Sequence, residues 1–271
     1  MKFVPKALEK TGDISAGQAP CAHILKWIAG FFVAGVLFYI LLGIITDIGA
    51  RFFPTSLERR LAEIWTGIES FNTEQSSRQD LAEKLLSNLL ISPDLPNLNY
   101  SIQIIDADQP NALAMPGGTI LLTEALFDAV RSEQGLAMII GHELGHFKNR
   151  DHLRSMGRGI LLSLAIGVMF RESDLGNVIQ QFVMVDQRRY SRTQERAADE
   201  AGIELLVAAY GHAGGAMEFF EAIREKHSQN AFVEFFSTHP NPEKRIAHLQ
   251  ELIKIRGYAT SRVQPIGKEA N

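Results

Sequence analysis

His142-Glu143-Leu144-Gly145-His146 sets two imidazoles four residues apart, with a carboxylate beside the first. On a helix, positions i and i+4 share a face, so His142 and His146 can converge on one metal ion while Glu143 projects alongside. Zn²⁺ held by two imidazoles and one further protein ligand keeps a position open for water. A Glu in this place takes that water's proton and later returns it to the leaving amine. These residue types at this spacing point to zinc-dependent hydrolysis. The plain alternative is a chance His/Glu/His on an exposed helix. The preceding segment, Leu136 to Ile140, is apolar and Gly141 permits close approach, so a buried helix is expected instead. Burial is a costly place for three polar side chains with nothing to do.

Two histidines need a third protein ligand, and two candidates compete. His152 stands where HExxHxxGxxH enzymes place their third histidine, provided the helix breaks at the Gly position, which is Asn149 here. Asn tolerates the left-handed conformation better than most residues. If the helix continues, His152 lies about 240° round the axis from His146 and faces away. The other candidate is Glu195 in Glu195-Arg196-Ala197-Ala198-Asp199. Glu195 and Asp199 are one turn apart on one face, and Ala197 and Ala198 let a second helix come close. Glu195 would complete a His₂Glu site, with Asp199 accepting the other N–H of a ligating His. A solvated acidic face is the bland reading of the same pair.

The elements that must position these residues follow from periodicity. Helical spacing runs over Leu57 to Phe71 and Arg78 to Leu90, and Pro93, Pro96 and Asn97 then interrupt it. Tyr100 to Ile105, Asn111 to Met115 and Thr119 to Thr123 read as short strands, with Pro116-Gly117-Gly118 turning between the last two. Helices are expected at Glu124 to Arg131, Glu133 to Arg150, 151 to 171, Val178 to Tyr210, Ala213 to Lys226 and Pro242 to Arg256. The fold class is therefore α+β and mainly helical, with a small sheet ahead of the helix that carries the histidines. Gly159 to Phe170 is uncharged but too short to cross a bilayer, and reads as a core helix.

Trp27 to Thr46 is an uncharged run bracketed by Lys26 and Asp47. Its 20 residues, at 1.5 Å each, span the ~30 Å hydrocarbon core of a bilayer. It exceeds a signal-peptide core, and no small-x-small site follows it closely, so a retained anchor is expected. Lys2, Lys6, Lys10 and Lys26 precede the span while Arg51, Arg59 and Arg60 follow it, a slight lean toward a cytoplasmic N-terminus. The division this implies is a flexible tail at 1–23, an anchor at 24–47, a catalytic domain at 52–258 and a C-terminal tail at 259–271. The lone Cys21 excludes an internal disulfide framework and a cysteine-ligated zinc site, and it precedes the apolar run rather than following it as a lipidated cysteine does. A net charge of −4 without basic clusters gives no footprint for nucleic acid.

The box and Glu195-x-x-Ala198-Asp199, about fifty residues on, resemble the HtpX-like and CAAX prenyl endopeptidase group of zinc metallopeptidases, members of the gluzincins. Asn111-Ala112-Leu113-Ala114-Met115-Pro116-Gly117-Gly118 is similar to that group's Asn-Ala-x-Ala-x-Pro-Gly-Gly strand and turn. Ser237-Thr238-His239-Pro240 with Arg245-Ile246 is similar to its Ser-Thr-His-Pro…Arg-Ile segment. The resemblance implies one Zn²⁺ per chain on His142, His146 and Glu195, Glu143 as base, and Asp199 orienting a ligating His. It places His239 and Arg245 near the substrate carbonyl or the open metal position, and Asn111 and Ala112 on an edge strand that pairs with substrate backbone. The several-span members of the group contrast with the one convincing span here. The closer likeness is to single-anchor or soluble members associated with envelope protein quality control.

The expectation is an inner-membrane, single-pass zinc endopeptidase with its catalytic domain in the periplasm and unfolded or membrane-associated polypeptides as substrates. Two other readings are a metzincin-like peptidase using His152 and a membrane-bound chaperone or binding module. In the latter, His239 is the fourth ligand of a closed structural zinc site, and such a site needs no base beside it, whereas Glu143 is intact.

Overall fold

The computed structural model of the chain describes residues 21–60, 77–169, 190–226, 239 and 242–266. The chain divides into two compact units, Met1–Leu42 and Gly43–Asn271. Helix α1 runs Cys21–Phe52 and stops before Pro54, whose ring can donate no N–H to a continuing helix. Over its apolar stretch the mean hydropathy is 2.6 and only 6% is buried. Trp27, Phe31 and Phe32 are each 70% exposed or more. A helix apolar on every side, and buried only at Leu42, Thr46 and Ala50 toward its end, is long and apolar enough to cross a membrane.

Residues 55–60 form a short helical run, and the rest of the expected Leu57 to Phe71 helix lies outside the described residues. Helix α2 follows at Ser77–Leu89, then strands β1 Ser101–Ile105, β2 Ala112–Met115 and β3 Thr119–Thr123. The sheet order is β1-β3-β2. β1 lies parallel to β3, and β2 antiparallel to it. The β2–β3 turn needs glycine at Gly118, whose φ is +106° and where a Cβ would stand 2.9 Å from the Asn99 carbonyl oxygen.

Helices α3 Glu124–Ala129, α4 Glu133–Asn149, α5 Asp151–Met169, α6 Arg192–Tyr210, α7 Glu218–Lys226 and α8 Pro242–Arg256 complete the chain. Helix α4 is buried on all sides from Gln134 to Phe147. Leu136, Ile140 and Leu144 join Ile120 and Leu122 of the sheet, Leu85 and Leu89 of α2 and Ile203 of α6 in one core. The histidine box thus sits on the most enclosed element of the fold, which holds its rotamers by packing.

Several boundaries differ from the expectation. α3 ends at Ala129 because Val130 is extended. α4 ends at Asn149 on a left-handed Arg150, φ 56°, one residue after the break a third-histidine site requires. α6 begins after Ser191, within the helix expected from Val178 to Tyr210. The Ser191 side chain accepts from Gln194 N–H while the Gln194 side chain accepts from Ser191 N–H, a capping box that fixes the start. Residues 178–189 lie outside the described residues. The helix expected from Ala213 begins at Glu218, since residues 214–217 form a turn through Gly215, φ +86°. α5 is helical to Met169, but the expected core burial of Gly159 to Phe170 falls largely on side chains outside the described residues.

Candidate active site

Small residues bring α6 onto α4. A Cβ on Gly145 would lie 2.7 Å from Ala198 Cα, and one on Gly202 would lie 2.9 Å from the His142 nitrogen. No larger side chains fit there, so the two backbones approach closely enough for Glu195 to reach the histidines. His142, His146, Glu195 and His239 each offer a ligand atom, all within 4.8 Å of one another, and all four are buried.

The spacings suit a tetrahedral ion. Donors bound at about 2.1 Å stand roughly 3.4 Å apart. The Nε2 atoms of His142 and His146 are 3.2 Å apart. Glu195 Oε2 is 3.7 Å from His142 Nε2, and Glu195 Oε1 is 3.6 Å from His146 Nε2. Glu143 is wholly buried, and neither of its carboxylate oxygens has a hydrogen-bond partner among the described residues. An orphaned buried carboxylate is costly in a fold with no use for it. The residues present therefore fit a metal.

Behind the donors sit groups that orient them. His142 Nδ1 is 3.0 Å from Asp199 Oδ1, and His146 Nδ1 is 3.0 Å from Asp151 Oδ2. Each contact holds the outer nitrogen, so each Nε2 faces the cluster. Arg245 is buried against two carboxylates of α6: Nη1 lies 2.6 Å from Glu195 Oε2, Nη2 2.6 Å from Asp199 Oδ1 and Nε 2.9 Å from Asp199 Oδ2. Its guanidinium also lies over the Phe220 ring, 4.4 Å from the centroid.

Protonation follows from this arrangement. Burial holds His142 well below the ordinary imidazole value, with Arg245 adding to the effect, so its ring is neutral and able to ligate. Burial also opposes charge on His146, but the Asp151 hydrogen bond and the Glu143 and Glu195 carboxylates outweigh it and raise the value. Burial pushes the Glu195 carboxyl up, yet Arg245 and His239 overcome that and hold it at about 2. An ionised Glu195 and a neutral His142 are the forms a divalent cation binds, and His146 gives up its proton when the cation arrives.

Three residues here carry no signal of their own in the sequence. Asp151 is wholly buried and also accepts from Gln194 Nε2 at 2.9 Å. Its only sequence cue is its place just after the end of the histidine helix. Tyr190, 4% exposed, stacks on His146 with centroids 3.8 Å apart, and burial raises its phenol well above the usual value. Glu58 is buried between His152 Nε2 at 2.7 Å and Arg150 Nη1 at 3.2 Å. His152 is thereby turned to Glu58 and stands outside the convergent four.

His239 is inside the cluster. Its Nδ1 is 3.0 Å from Glu195 Oε1 and 3.4 Å from His142 Nε2, and its Nε2 is 3.7 Å from Glu143 Oε1. Asn111 and Ala112 open the edge strand β2, which packs on α4, and make no hydrogen bond to the cluster among the described residues. Thr123 N–H donates to the Asn111 carbonyl. Asn111 and Thr123 are therefore a hydrogen-bonded pair, and the alternation turns the carbonyl of Ala112 and both backbone groups of Ala114 to the open edge.

A buried HExxH helix crossed by a helix that brings in a carboxylate is the arrangement of a metallopeptidase. Residues 73–253 match peptidase family M48, well over half the chain, and the chain belongs to that family. It is 22% identical over 246 residues to the mitochondrial metalloendopeptidase OMA1 of Schizosaccharomyces pombe, covering 83% of this chain and 71% of that protein. It is 27% identical over 222 residues to a protease HtpX homolog of Salinibacter ruber, covering 68% of this chain and 79% of that one. It is 28% identical to the mitochondrial metalloendopeptidase OMA1 of Bos taurus, of which it spans 40%. The chain is a metalloendopeptidase, a hydrolase of peptide bonds, and its apolar helix makes it a membrane-associated one.

Proposed function

We propose that the chain is a zinc endopeptidase anchored by α1 and acting on unfolded or membrane-associated polypeptides in envelope or membrane protein quality control. The observation that carries the reading is the Glu143 carboxylate, buried without a hydrogen-bond partner next to a His₂Glu donor set. His142, His146 and Glu195 would hold the ion. Zinc bound there would polarise the scissile carbonyl and lower the pKa of a water. Glu143 takes the proton of the attacking water and passes it to the leaving amine. His239 Nε2, on the Glu143 side, donates to the oxyanion as charge develops. Arg245 holds the Glu195 carboxylate ionised and keeps both Glu195 and Asp199 in place, a positioning role that fits its burial. The open edge of β2, from the Ala112 carbonyl to Ala114, pairs with the substrate backbone, a sequence-tolerant way to hold an extended peptide, and the Asn111 side chain fixes the start of that edge by accepting from the Ala112 N–H.

One observation favours a second reading: His239 Nδ1 is close enough to His142 and Glu195 to act as fourth ligand of a closed structural site. The full chain, zinc-loaded in detergent and incubated with an unfolded protein, separates the two. Fragments that appear with zinc, stop with a chelator and return on adding zinc back are the expected result. A folded, zinc-bound chain that produces no fragments overturns the peptidase assignment and supports the closed site.

The tail faces the cytoplasm and the catalytic domain lies outside it, in a periplasm if the source is Gram-negative. The four lysines ahead of the span support this direction. Protease added to intact spheroplasts should digest the domain, whereas protection until lysis reverses the orientation.

A further inference from the structure

Where α1 ends, four cations wall a cavity of about 360 Å³: Arg51, Lys148, Arg150 and Arg154. Asp151 is its one carboxylate, and that group is already engaged by His146, Gln194 and Arg154. Arg150 is satisfied by Glu58 and the Phe53 carbonyl. The other three have charge to spare. Lys148 meets the mostly exposed Asp94 at 3.3 Å, Arg154 has contacts at 3.4 and 3.9 Å, and Arg51 makes no ion pair among the described residues. Asn149 Nδ2, on the same wall, is a buried donor without a hydrogen-bond partner. Donors and surplus positive charge converging on one cavity call for an anion.

Depth identifies which anion. Arg51 follows Thr46, the last residue of the apolar run, by five positions, or about 7.5 Å along a helix. The headgroup layer occupies roughly the first 5–7.5 Å outside each face of the hydrocarbon, so Arg51 starts at its outer limit and its long side chain reaches back into it. We propose that this cavity binds the phosphate of an anionic phospholipid headgroup. The proposal rests on α1 being a membrane anchor and on nothing in the peptidase reading, so a thermal measurement tests it without any assay of cleavage. Arginine supplies planar, paired donors suited to a phosphate, and the contacts need no base or sugar to complete them.

The test is the thermal midpoint of the full chain in neutral detergent. It is titrated at constant ionic strength with dihexanoyl phosphatidylglycerol, dihexanoyl phosphatidylcholine or sodium phosphate. The phosphatidylglycerol should raise the midpoint by roughly 3–6 °C at ten times its dissociation constant, with little from the zwitterionic lipid. The double variant R51Q/K148Q should lose that rise while keeping its own midpoint and metal content. No rise with either anion, or an undiminished rise in the double variant, overturns the site. An equal rise with sodium phosphate at the same concentration keeps an anion site but overturns the lipid as its source.

Discussion

Glu143→Gln is expected to keep its metal and lose peptide hydrolysis by about 10²- to 10⁴-fold, the usual contribution of a positioned general base. The amide matches the carboxylate in size, so the enclosed wall of α4 accepts it without a cavity. It cannot take a proton from water at neutral pH. Glu143 is outside the donor set of His142, His146 and Glu195, so metal content by elemental analysis should stay near one ion per chain. The amide N–H groups bring a modest cost, since the site offers them little to donate to, and a lower thermal midpoint equivalent to about 1–3 kcal/mol is the outer bound. Cleavage of an unfolded substrate at the wild-type rate removes Glu143 as the base. Loss of metal in this variant would mean that its carboxylate ligates, and the roles of Glu143 and Glu195 would have to be exchanged.

What could be seen in the chain beforehand divides along sequence separation. His142 and His146 belong to one helical turn, and the 3.6-residue period alone places their side chains together. The pairing of that turn with Glu195 and Asp199 is long-range; spacing left it undecided against His152, and the family resemblance pointed to Glu195. In the structure the pairing depends on Ala198, whose small size the sequence already marks as allowing a close helix, and on Gly145 and Gly202, whose meaning shows only once two helices touch. Glu58 meets His152 across 94 positions, and no local pattern marks either partner. The sheet order, with β3 between β1 and β2, likewise depends on a crossover that strand periodicity does not encode. The start of α6 is legible in a feature that apolar spacing does not show: Ser191 with Gln194 is a capping box in plain sequence.

Glu195→Ala and His152→Ala should part company in what they lose. Removing Glu195 takes away the only carboxylate in the donor set and leaves two imidazoles with His239. Bound metal and hydrolysis should both fall by at least about 10-fold, with the helices retained by circular dichroism. Removing His152 should leave metal content near wild type, because its Nε2 is directed at Glu58 Oε1, 2.7 Å away. The loss there is stability. Glu58 is wholly buried, and without His152 its charge retains Arg150 and the Gly117 N–H, a deficit of about 3 kcal/mol at neutral pH. Acid should erase the difference. Burial pushes the Glu58 carboxyl up, but His152, the Gly117 N–H and Arg150 outweigh it and hold the value below the ordinary one. A carboxyl depressed in the folded state stabilises above its unfolded value, near about 4.3, and that contribution disappears as pH falls through the folded value. The wild type should therefore lose stability toward the variant below about pH 4, measured as converging urea midpoints. Metal lost from His152→Ala and kept in Glu195→Ala would reverse the ligand assignment and restore a three-histidine site.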